Sequence, residues 1–135
     1  MEKYTIDKDI PCYTIEAAFP NGVLAAHQQL HAAFAGSSER RYFGISRGTP
    51  GGGVAYKAAA EKLSGDSPHN EFGDFIIPQG RYKGTEIKNF RKDVTAIGKL
   101  FSTLLQDPEL DPHGFCLEWY SNENDVRCMV KLLDK

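Results

Sequence analysis

The chain has 135 residues, 41% of them hydrophobic and 25% charged, with a formal net charge of -2. That length suits one compact domain and is short for two, and the balance is that of a folded domain, not a disordered segment. Basic residues cluster only at Arg40-Arg41 and from Lys88 to Lys92; both clusters read as solvated ends of elements, so nucleic acid is not expected as a partner.

No apolar run approaches the ~20 residues of a membrane span. Met1-Glu2-Lys3-Tyr4 begins no signal-peptide segment, so a cytoplasmic location without membrane contact is expected. Cys12, Cys116 and Cys128 are odd in number and widely spaced; they read as reduced thiols, two of them small apolar strand residues.

In chain order, residues 10–19 are rich in β-branched and aromatic types and predict a first strand, with Pro20-Asn21-Gly22 as its stop and a helix start. In that helix Val23, His27, Leu30 and Phe34 share one face, and Gly36-Ser37-Ser38 ends it. Residues 41–46 predict a second strand, 48–53 its turn and 54–60 a third strand. The Gly-, Pro-, Ser- and Asp-rich stretch 62–80 is a connector with room for a short strand at 74–77. Residues 81–88 form the next strand. In a second helix Val94, Ile97, Phe101 and Leu104 make the buried face, closed by Asp107-Pro108 and Asp111-Pro112. The stretch 115–120 is a strand, 121–125 a polar turn, and 126–132 the alternating last strand.

The order strand, helix, strand, strand in residues 10–61 returns in residues 72–133. The expected fold is therefore α+β: a single domain over 1–135, built of two βαββ units related by a pseudo-twofold, with an antiparallel sheet and two long helices. Alternation puts Phe115, Leu117 and Trp119 on one strand face and Cys116, Glu118 and Tyr120 on the other. Glu118 is out of place in such company. Either it lies on an edge strand in water, or it is the floor of an aromatic-lined pocket. In the duplicated register Gly44 falls near the place of Glu118, a small residue that leaves room for a ligand.

Tyr42-Phe43-Gly44-Ile45-Ser46, Tyr56-Lys57-Ala58-Ala59-Ala60, Ile77-Pro78-Gln79-Gly80-Arg81-Tyr82 and Leu117-Glu118-Trp119-Tyr120 together resemble segments of the GyrI-like small-molecule-binding family. These are the effector-binding domains of AraC-type and MerR-type transcriptional regulators, which also occur as stand-alone proteins. The resemblance implies a ligand cleft with Glu118 as its acid, Tyr120 beside it, Tyr42, Tyr56 and Trp119 as walls and His27 at its edge. It implies a stand-alone effector-binding domain for an amphipathic or aromatic ligand, acting in sensing or sequestration linked to transcription regulation, with no cofactor. Many members carry a second Glu in the last strand, where the register here offers Arg127. No helix-turn-helix precedes the first strand, so direct operator binding is not expected.

Two rivals remain open. Burial of Glu118 among rings would raise its pKa and suit it to general-base work, with Tyr56 as the acid of a small hydrolase of electrophilic compounds. Alternatively the chain is a protein-interaction module that inhibits a partner; a protein partner or a homodimer is left open. His27 and His31 have metal-ligand spacing, but no third ligand is evident, and no metal is expected. Gly51-Gly52-Gly53 lacks the Lys of a phosphate loop and reads as a hairpin turn.

Overall fold

The computed structural model describes residues 1–36, 39–93 and 95–134. Strands β1 (Glu2–Ile6), β2 (Ile10–Ala17), β3 (Tyr42–Gly48), β4 (Val54–Glu61), β5 (Gly73–Ile77), β6 (Gly80–Ile87), β7 (Cys116–Trp119) and β8 (Val126–Lys131) form one sheet in the order β1-β6-β8-β7-β3-β4-β2-β5. Every pairing is antiparallel. Helices α1 (Val23–Ala33) and α2 (Thr95–Leu104) and a 3-10 turn at Phe90–Lys92 complete the fold.

The expected α+β architecture with two long helices is overturned. The helices run 11 and 10 residues, about three turns and 15–17 Å each, and the fold is mostly a sheet curled into a half-barrel. Local chemistry sets the short lengths. After α1 the chain turns through Gly36 at φ +90°, a conformation that glycine adopts without steric penalty. Ahead of α2, Asn89 is left-handed, and Asp93 Oδ1 accepts the Thr95 amide 3.2 Å away. Val94, expected on the buried face of the second helix, and Ser37 and Ser38, expected to end the first, lie outside the described residues.

Strand β1 was not foreseen. Its outer residues Lys3 and Thr5 are exposed while Tyr4 and Ile6 pack on the core, a five-residue alternation too short to stand out. The curl has a local cause as well. A Cβ on Gly84 would fall 1.8 Å from the Cys128 carbonyl oxygen, so only glycine lets β6 approach β8 so closely.

Alternation gives the sheet two covered faces. The face inside the curl buries Phe43, Leu117, Met129, Tyr82 and Ile77, with Tyr4, Ile6 and Phe75 from the edge strands packed against them. The other face carries the helices. Leu30 and Phe34 of the α1 segment cover Tyr13, Ala58 and Ala60, while Phe101 and Leu104 of α2 cover Cys116, Val126, Cys128 and Val130. No helix among the described residues is long and apolar enough to cross a membrane.

Candidate functional site

Strands β3 and β7 pair in the middle of the sheet, with Gly44 opposite Glu118 and Phe43 opposite Trp119. Directly opposed residues share a face. Gly44, Glu118 and, one strand further, Cys128 therefore lie on the helix side, and Phe43, Trp119 and Arg127 lie inside the curl. Glu118 is not on an edge and not in water: β7 is flanked by β3 and β8, and the residue is 7% exposed. It occupies the seam between the cluster under α1, which contains Tyr56, and the cluster under α2, against which Tyr120 packs.

Two hydroxyls converge on one carboxylate oxygen. Tyr56 donates to Glu118 Oε1 at 2.8 Å and Tyr120 donates to the same atom at 2.5 Å. Among the described residues no donor reaches Oε2 and no cation pairs with the group. His27 Nε2 lies 2.8 Å from the Tyr56 hydroxyl. That hydroxyl has one proton, already given to Glu118, so the imidazole donates its Nε2–H to the tyrosine oxygen. The result is a relay from His27 through Tyr56 to Glu118, with Tyr120 closing it from the other side.

The site is desolvated. Burial raises the Glu118 pKa, and the two tyrosine hydrogen bonds oppose that rise. Burial beside this carboxylate pushes the hydroxyls of Tyr56 and Tyr120 well above the ordinary tyrosine range. His27 is lowered to about 4 by burial, with a smaller push from His31, and is neutral at pH 7. Cys116 and Cys128 flank the acid as thiols, pushed by burial to about 11 and about 12. Gly44 makes the arrangement possible, because a Cβ there would meet Tyr56 Oη at 2.1 Å and Glu118 Oε1 at 2.2 Å.

The structure thus brings Glu118, Tyr56, Tyr120 and His27 together. Tyr42 is on the same sheet face but stacks on His31 of α1, centroids 3.8 Å apart. Trp119 is removed from the group: it faces the inside of the curl, beside Phe43 and Arg127. Arg127 shares that inner face, so it stands away from Glu118 and not beside it. The carboxylate lies under Tyr56, Tyr120 and His27 in place of an open floor. Two flanking rings escaped the sequence reading. Phe19, half exposed just before α1, lies 5.9 Å from Tyr56, and Phe90 lies 5.6 Å from Tyr120. The available signal was position, since each ring stands a few residues ahead of a helix.

A curled antiparallel sheet with a desolvated acid on its helix-bearing face is compatible with a small-molecule-binding domain. No family model matches the chain, and no curated protein matches it. Among solved structures, an integron cassette protein from the mobile metagenome of Vibrio cholerae is similar, with a TM-score of 0.69 and 11% identity over 98% of this chain and 95% of that one. At that identity the likeness concerns the fold alone.

Proposed function

We propose that the domain binds a small amphipathic or aromatic molecule at the seam between α1 and α2, where Glu118 accepts a hydrogen bond or pairs with a positive charge. The observation that carries this is a 7% exposed carboxylate without a cationic partner among the described residues, with both hydrogen bonds on Oε1. A buried acid left unpaired is costly unless something compensates it, and a ligand donor on Oε2 supplies that compensation. Phe19, Tyr56, Tyr120 and Phe90 offer ring surface on either side, each stacking or cation–π contact contributing about 0.5–2 kcal/mol. Entry requires the rings over the acid to move aside. The residue pattern of a stand-alone GyrI-like effector-binding domain supports a role in sensing or sequestration linked to transcription regulation.

The test is a thermal-shift panel of cationic and aromatic compounds. A ligand that binds the native state raises its melting temperature. Glu118→Gln is expected to abolish the shift of a cationic binder, with a loss of at least about 1 kcal/mol in binding; an unchanged shift removes Glu118 from the site. The His27–Tyr56–Glu118 relay supports a second reading, a hydrolase in which Glu118 activates water and a tyrosine supplies the proton. Turnover of an electrophilic substrate by the wild type, lost in Glu118→Gln while binding is kept, selects that reading.

A further inference from the structure

The inner face of the sheet carries a separate constellation behind β7. Arg127 pairs across strands with Trp119 on one side and with Glu86 on the other. Its guanidinium carbon lies 4.6 Å from the Tyr4 ring centroid and 4.8 Å from that of Trp119, so rings from β1 and β7 hold it from two sides. Ring faces offset the positive charge, but they give the guanidinium no lone pair in its own plane. Arg127 Nε is buried without a hydrogen-bond partner, and none of the described residues accepts from its other nitrogens.

The acids nearby are already engaged. Glu86 pairs with Lys88 at 2.8 Å and accepts from Ser121 at 3.3 Å. Glu61 is bound by both ends of the Arg41 guanidinium, whose carbon lies 5.8 Å from the same Trp119 ring. Glu2 accepts the Tyr4 hydroxyl at 2.8 Å. A guanidinium fixed between two rings, with its donors unclaimed, matches a planar oxyanion, since its fork fits the two oxygens of a carboxylate.

We propose that Arg127, walled by Tyr4 and Trp119, is the anchor of a second binding site, for a small monocarboxylate, on the opposite side of the sheet from Glu118. A monoanion fits better than a phosphate dianion because Glu86 faces Arg127 across the strands and Glu2 sits on Tyr4, so a second negative charge meets repulsion. The proposal does not depend on the helix-side cleft.

Trp119 is the single tryptophan of the chain, so its emission reports on this site. Titration with benzoate at constant ionic strength is expected to change Trp119 emission saturably. Arg127→Gln is expected to weaken that binding at least tenfold, and Arg127→Lys, which keeps the charge and loses the fork, several-fold. Circular dichroism checks that each variant is folded; should Arg127→Gln fail to fold, the lysine variant carries the comparison. A response that does not saturate, equal affinity in the wild type and the folded Arg127 variants, or equal binding of inorganic phosphate overturns the proposal.

Discussion

At the scale of single residues, Gly44 and Glu118 depend on each other. The strand pair brings their α-carbons together, and the missing side chain on one is the space that the other and Tyr56 occupy. Gly44→Ala is expected to destabilise the fold by about 1–3 kcal/mol, the range for forcing a methyl into a packed site, and to abolish any ligand response of the helix-side cleft. Urea unfolding and the thermal-shift panel check both; a variant as stable and as responsive as the wild type would mean that the two oxygens are not held over Gly44. The titrating groups pull in opposite senses. His27 is neutral with its pKa lowered from 6.5 to about 4, so the stability it contributes is full above pH 6.5 and is lost as pH falls through 4. Glu118 is raised, so its contribution is full below the ordinary carboxyl pKa of about 4.3 and is lost as pH rises through the raised value. The stability difference between the wild type and His27→Gln is therefore expected to shrink by at most about 3 kcal/mol between pH 7 and pH 4. The difference between Glu118→Gln and the wild type should grow in the variant's favour as pH rises from 4 to 8. Two flat profiles would dissociate these groups from folding.

The period-two pattern that put Glu118 inside was legible in the sequence, and so was the small residue facing it. The same pattern already set Trp119 on the far side of the strand, against its assignment as a cleft wall. What could not be read was His27, whose place on an apolar helix stripe was visible but whose partner Tyr56 is 29 residues away.

Among the elements, strand positions were largely legible because each run of alternation is bounded by Gly, Pro or Asp. The edges were not. The connector after β4 reads as a solvated loop through its Ser, Gly and Asp content, and Arg40 reads as the solvated end of a strand. The two instead meet as an ion pair. Arg40, with 4% of its side chain exposed, bonds both Asp66 oxygens at 2.8 and 2.7 Å, while Tyr13 and the Leu63 amide also donate to that carboxylate. The Arg40 guanidinium lies 4.0 Å from the Phe34 ring centroid. This ties the connector to β3 and to the end of α1. Asp66→Ala leaves a buried cation without its partner, so the expected loss is about 3–5 kcal/mol in chemical unfolding. A loss below about 1 kcal/mol, the range of exposed pairs, would place this one in solvent.

For the whole molecule, the count of helices was right and their weight was wrong, because element order says nothing about how far a sheet curls. Eight strands that bend until β1 and β5 pack on their own inner face need helices on one side only. Composition cannot show this, since Gly84 looks like any other glycine until Cys128 lies against it. A similar fold at 11% identity fits the same point: alternation and bend positions can persist while side chains turn over.

Each helix rests on strands from its own side of the central pair, α1 on β4 and β2, and α2 on β8 and β6. A guest bound for the acid between them thus has to spread a pair of short rods that glide on a stationary floor, with every backbone ladder left intact. Such shear belongs to the microsecond-to-millisecond range of collective motions. Admission is then a matter of sliding, and the architecture stays whole while the door is open.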